Sequence, residues 1–187
     1  NKNPTGKRVT TNDYGSADYY YVNKSSLPKV YGGFNTSLSW KGFDLSAIFA
    51  YSIGGYIYNR DVTMILHNGS LEGRDWSTEI LRRWTPDNRY TDVPALSTTS
   101  NNWNSASTRF LQNNSYMRLK NLTLSYNLPK QWISKLSLSS VQVYVQGDNL
   151  FTIHRNQGLD PEQGITGITY YRYPAMRTIS GGINVSF

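Results

Sequence analysis

Arg177-Thr-Ile-Ser-Gly-Gly-Ile-Asn-Val-Ser-Phe187 alternates along its length. Ile179, Gly181, Ile183, Val185 and Phe187 fall on one side of an extended chain, and Thr178, Ser180, Gly182, Asn184 and Ser186 on the other. A period of two, apolar against small and polar, marks a strand with one wet face. The pattern stops on an aromatic at the carboxyl end. Chain termini of soluble domains fray, whereas a terminal Phe seated at a membrane interface is anchored. The stretch therefore reads as the closing strand of a membrane barrel, and the rest of the chain can be held against that expectation.

Working outward, four more strands of the same kind are expected. Tyr31 to Trp40 alternates Gly32, Phe34, Thr36, Leu38 and Trp40 against Tyr31, Gly33, Asn35, Ser37 and Ser39. Lys41-Gly42 has the form of a two-residue hairpin turn, and Phe43 to Tyr56 is the return strand. From Phe43 to Ile53 is eleven residues, the length that crosses a bilayer at a tilt; ordinary strands run about five or six. Tyr116 to Leu128 follows, with Leu122, Leu124, Tyr126 and Leu128 sharing a face with Tyr116, Arg118 and Lys120 by simple alternation. Val141 to Ile153 sets Val141, Val143, Val145, Phe151 and Ile153 against Gln142, Gln146, Asp148 and Thr152. Residues 1–29 read as loop with one short extended piece. Between the strands, residues 57–112 form a polar excursion with one amphipathic helix, Trp76 to Trp84, capped by Asp75 and stopped by Thr85-Pro86-Asp87. A helical turn is expected at Val62 to Leu66 and another within residues 130–137, and residues 97–108 read as loop.

Composition narrows the class. The 187 residues suffice for one domain with a sizeable core. No run of 18 apolar residues occurs, so no transmembrane helix is expected; barrel strands, which alternate, give no such signal. Aromatics reach 14%, with 15 Tyr and 5 Trp, which suits interfacial belts. Zero Cys rules out a disulfide framework and a thiolate metal site. The net charge of +7 is scattered, with no basic run longer than two residues (Arg82-Arg83 is one), and does not make a nucleic-acid groove. The chain begins at Asn1 with no Met and no signal-like segment, so it is expected to be processed or a piece of something longer.

Loop lengths and aromatics sort together. Short connections lie at 41–42 and 129–140, long ones at 57–115 and 154–174. With Phe187 at the periplasmic face, every short connection falls inside and every long one outside, as in outer-membrane barrels. Trp40, Phe43, Tyr126, Trp132 and Phe187 then form an inner girdle, and Tyr51, Tyr56, Tyr58, Tyr116, Phe151 and Tyr173 an outer one. Five strands cannot close a barrel, which needs about eight, and a bilayer tolerates no open edge. More chain is therefore required.

Several runs are specific: Tyr19-Tyr20-Tyr21-Val22, Pro28-Lys-Val-Tyr-Gly-Gly-Phe-Asn-Thr-Ser-Leu-Ser-Trp-Lys-Gly-Phe-Asp-Leu-Ser46, Arg83-Trp-Thr-Pro-Asp87, Asp92-Val-Pro-Ala-Leu96, Ser115-Tyr-Met-Arg-Leu-Lys-Asn-Leu-Thr-Leu-Ser-Tyr-Asn-Leu-Pro129, Gln146-Gly-Asp-Asn-Leu-Phe151 and Gly158-Leu-Asp-Pro-Glu162. With the final Gly-Ile-Asn-Val-Ser-Phe187 they resemble the carboxyl-terminal end of SusC/RagA-type TonB-dependent outer-membrane transporters, over nearly the whole chain from Tyr19 onward. The resemblance implies an all-β fold, in which residues 1–187 supply about five antiparallel strands of a transmembrane barrel of about 22 strands. It implies long extracellular loops, one with a short helix, and leaves the plug and earlier strands upstream. It implies a nutrient importer of the bacterial outer membrane, not an enzyme, with no cofactor. Its partners would be the rest of the barrel, outer-membrane lipid, a SusD-like surface lipoprotein, an oligosaccharide or peptide substrate, and the TonB complex through the absent upstream region; nucleic acid is not among them. The final segment also resembles the signal read by the barrel-assembly machinery, with Gly182, Val185 and Phe187 carrying the match.

No catalytic constellation is visible. His67 and His154 have no motif partner, and Asp160-Pro-Glu162 falls short of a calcium loop. The candidate contacts to lid or substrate are Trp76, Arg82, Trp84, Trp103 and Arg155 in the outer loops; a helix stripe that merely packs its loop is the plainer alternative. Gln142, Tyr144, Gln146 and Asp148 are the candidate lumen-facing residues. Two other readings stay open: a soluble β-sandwich carbohydrate-binding module, suggested by the Tyr and Trp content, and a plugless passive porin.

Overall fold

A computed structural model describes residues 11, 13–69, 71–97, 99, 102–156 and 158–187, and Leu136 by its backbone alone. Residues 1–10 and 12, part of the expected loop segment 1–29, lie outside that set, as do residues 98, 100 and 101 of the 97–108 loop. Two compact units are present: residues 25–56, 113–167 and 172–187 form the sheet unit, and the described residues of 1–24, 57–112 and 168–171 form the loop unit.

The sheet unit is one antiparallel sheet in the order β1 (Val30–Trp40), β2 (Phe43–Ile53), β5 (Tyr116–Asn127), β6 (Ser140–His154) and β8 (Thr178–Ser186). Lys41 and Gly42 take positive φ, 47° and 88°, the geometry whose twist matches a tight hairpin. The β2 strand ends at Ile53, three residues earlier than the pattern suggested, where Gly54 and Gly55 turn the chain before it resumes. Between β5 and β6 a single turn of helix, α2 (Lys130–Ile133), follows Pro129 and buries Ile133. β8 stops at Ser186, so the exposed Phe187 lies just past the ladder.

Residues paired across strands share a face. One face carries Leu38, Leu45, Leu124, Val145 and Gly181 along one row, and Phe34, Phe49, Leu119 and Phe151 along another. Phe34 and Phe49 stack at 4.7 Å, and Phe43 meets Tyr126 at 4.5 Å beside Trp40, toward the short-turn end. Much of this apolar face is open among the described residues, with Leu38 67% and Ile183 66% exposed, although Ala47 and Leu119 are buried among their neighbours. The opposite face is polar and internally hydrogen-bonded. A soluble sandwich lays its apolar face against a second sheet; here that face is uncovered.

One strand departs from simple alternation. Phe49 pairs with Leu119 and Ile48 with Asn121, so Lys120 is an extra residue in β5. The bulge reverses parity. Met117 and Leu119 join the apolar face, while Tyr116 and Arg118 move to the polar one, opposite Ser52 and Ala50. The expectation that Arg118 and Lys120 lie among Leu122 and Leu124 is thereby corrected, and Tyr116 leaves the outer aromatic set.

The loop unit has its own small sheet, in the order β4 (Leu111–Asn113), β3 (Tyr56–Asn59) and β7 (Ile168–Thr169), and a helix α1 (Arg60–Ile65) capped by the Asn59 carboxamide, which accepts from Val62 N at 3.1 Å. Ile57, Val93 and Phe110 make its core, with the Tyr58 ring edge-on to Phe110 at 6.2 Å. The helix expected over Trp76 to Trp84 is instead a 3-10 segment, Thr78–Arg82, capped by the Ser77 hydroxyl rather than by Asp75. Its last turn is closed from outside: Asn88 Nδ2 and Thr91 Oγ1 both donate to the Arg82 carbonyl, at 2.9 and 2.6 Å, which holds the following chain away from a helical path.

Candidate functional site

The wet face of the sheet is a connected polar surface. Ser39 Oγ donates to Asp44 Oδ1 at 2.5 Å and Asn127 Nδ2 to Asp44 Oδ2 at 2.7 Å. Gln142 Nε2 donates to Asn127 Oδ1 at 3.1 Å, and Asn184 Nδ2 to Gln142 Oε1 at 3.2 Å. This row crosses all five strands. A second group stands further along: Asn121 Nδ2 donates to Asp148 Oδ1 at 2.8 Å, Gln146 Nε2 reaches both Asp148 oxygens at 3.2 and 3.3 Å, and Thr123 Oγ1 donates to Asn121 Oδ1 at 2.9 Å. Gln142, Tyr144, Gln146 and Asp148 thus occupy one face, with Tyr144 opposite Gly182. A Cβ built on Gly182 would fall 2.7 Å from the Tyr144 hydroxyl, so the ring lies directly over the glycine. Gly182 has a packing reason to be small. Val185 pairs with Val141 on the other face.

Above this surface sits a group that alternation alone hid. The Arg118 side chain is 4% exposed. Its Nε donates to Thr152 Oγ1 at 2.9 Å, Nη1 to Glu162 Oε2 at 2.8 Å and Nη2 to Asp160 Oδ1 at 2.5 Å. Lys120, the bulged residue, closes on Glu162 at 2.6 Å. Asp160 also accepts the backbone N–H groups of Glu162 at 2.9 Å and Ala175 at 2.6 Å. Burial pushes the Asp160 carboxyl upward, but the amides of Ala175 and Glu162 and the Arg118 guanidinium outweigh it and hold it below the usual carboxylate range. The Asp160-Pro161-Glu162 turn is therefore an anchor that ties residues 158–175 to the strands. Among the described residues no group of three His, Cys, Asp or Glu could hold a metal ion. The signal for Arg118 was present in the sequence: two cations on an otherwise apolar strand face are costly at membrane depth, and only a parity break removes them.

The loop candidates are each engaged separately. Trp76 Nε1 donates to His67 Nδ1 at 3.1 Å, and the two rings lie 5.2 Å apart. His67 is itself buried and accepts the Gly69 N–H at 3.3 Å, a role no local motif announced. About half of Trp76 stays exposed, beside a concavity of about 580 Å³ lined by Leu71, Arg74 and Leu96. Arg82 pairs with Glu79 at 2.9 Å and Asp92 at 3.6 Å on the surface. The Trp84 backbone N–H donates to the Val93 carbonyl at 2.8 Å and its ring is half-exposed. Trp103 is an internal pin: its indole N–H donates to the Leu66 carbonyl and the Arg109 guanidinium lies 3.3 Å from its ring centroid. Burial lowers the pKa of Arg109, against the raising influence of Asp92. Arg155 is exposed and belongs to the sheet unit.

No protein-family model matches the chain. It is 34% identical over 166 residues, 83% of its length, to TonB-dependent receptor P3 of Formosa agariphila, and 27% identical over 168 residues, 89% of its length, to TonB-dependent receptor SusC of Bacteroides thetaiotaomicron. In each case it spans 16% of the relative's length. Among solved structures, the RagAB peptide importer in its closed-closed state matches all of this chain with a TM-score of 0.83 at 34% identity, over 20% of the importer chain. Its open-open state matches 96% of this chain with a TM-score of 0.80. An antiparallel sheet with one uncovered apolar face and one hydrogen-bonded polar face, seen together with these likenesses, identifies the chain as a barrel segment belonging to the SusC/RagA-type TonB-dependent transporters.

Proposed function

We propose that this segment forms wall and outer loops of a TonB-dependent importer in the bacterial outer membrane, which takes up oligosaccharides or peptides with a SusD-like surface lipoprotein as its lid. The observation that carries the reading is the inverted sheet: apolar side chains such as Leu38 and Ile183 face outward uncovered, while the polar side chains bond to one another. Lipid is the solvent that suits the first face, and a wet lumen the second. The names of the relatives support the same activity. In this reading Gln142, Tyr144, Gln146 and Asp148 line the lumen, and the exposed faces of Trp76 and Trp84, with Arg82 and Arg155, meet the lid or the passing substrate. Trp103 holds its loop rather than touching cargo. Gly182, Val185 and Phe187 serve as the assembly signal, and energy enters through the TonB complex by way of chain outside this segment.

The test is fractionation of the full-length protein from its own cells, followed by uptake assays in cells that lack it. The expected result is a species that stays with the outer membrane through salt and carbonate washes, leaves it only in detergent, and is needed for growth on an oligomeric nutrient. A soluble species that needs no detergent would overturn the reading.

A further inference from the structure

The outer end of β6 has a strand on one side only. Phe151 pairs with Leu119 and His154 with Tyr116, across to β5. On the other side β8 begins at Thr178, opposite Asp148, and beyond it lies Arg172-Tyr-Pro-Ala-Met-Arg177, which forms no ladder. Two successive donors are missing from that segment. Pro174 has no N–H to give, and the Ala175 N–H is drawn away to Asp160 Oδ2 at 2.6 Å. Asn149 Nδ2 ties the segment to the foot of this stretch by donating to the Met176 carbonyl at 3.2 Å. Among the described residues no backbone hydrogen bond joins residues 150–154 to it. In an antiparallel pair every second residue turns its N–H and C=O away from the partner, so this stretch of β6 keeps an open main-chain edge. A cleft of about 550 Å³ is lined by Phe151, Thr152 and His154 from that edge and by Arg172, Ala175 and Arg177 from the segment.

The cleft belongs to the wet side of the sheet, for Arg118 and Asp160 line it together with Thr152. Its charge is one-sided. Arg118 is engaged by Asp160 and Glu162, whereas Arg172 and Arg177 are exposed and have no ion-pair or hydrogen-bond partner among the described residues. Asp160 is the one carboxylate that lines the cleft, and Arg118 and two backbone amides already hold it, so it does not neutralise the pair. Toward the short-turn end the polar face carries Asp44 and Asp148 instead, bonded to amide and hydroxyl donors, so the excess of positive charge stands at the outer end. We propose that this cleft is a capture site for an extended, carboxylate-bearing peptide, which adds as a short strand to the open edge of β6 and pairs its carboxylates with Arg172 and Arg177. An added strand is recognised through its main chain, which an oligosaccharide lacks. Guanidinium forks match carboxylate oxygens two at a time. The edge thus accepts many sequences, and the arginines set the preferred charge.

The inference rests on the importer reading and narrows its cargo. The full-length importer, purified in mild detergent with whatever lipoprotein accompanies it, is titrated with four probes. These are a peptide alternating Glu and Thr, the same peptide with Gln for Glu, the acidic peptide N-methylated throughout, and an oligogalacturonate of equal charge. Arg172→Gln/Arg177→Gln is compared with Lys130→Gln/Lys135→Gln, which removes the same charge at the short-turn end. The acidic peptide should bind the wild type and the lysine variant alike, and the arginine variant about tenfold or more weakly, the loss of one or two charge-assisted bonds. The Gln peptide should bind the wild type no better than the acidic peptide binds the arginine variant, and the N-methylated peptide should bind every form weakly. Equal affinity of the two double variants for the acidic peptide overturns the site. So does an N-methylated peptide or an oligogalacturonate that binds as tightly as the acidic peptide, because charge alone would then suffice. In each of these cases a protein that still fractionates with the outer membrane leaves the importer reading standing. A protein that fractionates as soluble removes both readings at once.

Discussion

Replacing Arg118 by Met removes the guanidinium and keeps most of the side-chain length. The wild-type group makes three side-chain bonds, to Thr152, Asp160 and Glu162, from a site 4% exposed. Its loss leaves the Asp160 carboxylate, 7% exposed, with two amide donors but no counter-charge, while Glu162 keeps Lys120. Breaking a buried ion pair from one side costs about 3–5 kcal/mol. Because both carboxylates keep a partner, the low end applies, about 3 kcal/mol, which is on the order of a hundredfold in an opening equilibrium. The readout is amide hydrogen exchange of the full-length transporter in detergent. The Ala175 and Glu162 amides, which bond to Asp160, should lose about a hundredfold of protection, with β1 and β2 unchanged. Unchanged exchange across residues 158–175 would refute the anchor. Uniform loss over all five strands would show that Arg118 supports the sheet rather than the loop.

The remaining expectations rest on the same geometry. Because the folded pKa of Asp160 is depressed, its contribution is complete above the ordinary carboxylate pKa of about 3.9 and is lost as pH falls through the lower folded value. Protection of the Ala175 amide, relative to its intrinsic exchange rate, should therefore be flat from neutral pH to about 5 and fall only in stronger acid; a fall near pH 6 would assign the anchor to another group. Val145→Arg puts a cation on the uncovered face and should cost about 2–4 kcal/mol of insertion, whereas Gln146→Arg, one residue on, should assemble normally, as read by heat-modifiable mobility on gels. Equal assembly of the two variants would cancel the assignment of faces. Gly182→Val collides with the Tyr144 ring and should cost about 1–3 kcal/mol, with Tyr144→Ala restoring much of the loss in the double variant. Deletion of Phe187 should lower outer-membrane insertion far more than removal of residues 1–7; equal insertion would end the proposed assembly role.

The strands, the tight turn at Lys41-Gly42 and the two faces were legible because each is written locally, in alternation and in turn chemistry. Lys120 was not, since a bulge leaves the composition of a strand unchanged and only inverts the parity on one side of it. The helix expected around Trp76 failed for a related reason. Apolar spacing over nine residues fits a helix, but Asn88 and Thr91 capture the Arg82 carbonyl from further along the chain. The sheet of β3, β4 and β7 has no local signal either: Tyr58 pairs with Ile168 across more than a hundred residues. His67 was passed over because its partner Trp76 is nine positions away and forms no recognised motif with it. The loop candidates were correctly placed outside the strands, yet sequence could not tell Trp103, turned inward onto Leu66, from Trp76, which keeps half its surface free.

The row Ser39, Asp44, Asn127, Gln142, Asn184 has a consequence for how the strands find one another. Alternation forbids a slip of one residue, because that would turn every apolar side chain inward. It is silent about a slip of two, which leaves both faces chemically intact. Shift β6 by two against β5 and Gln142 no longer meets Asn127, nor Asn184 Gln142 if β8 stays behind. The row thus separates alignments that the hydrophobic pattern treats as equal, acting as a notch cut at one height across every strand. Asn184 carries that mark to the free edge of β8, where a partner strand from elsewhere in the barrel can be aligned by it.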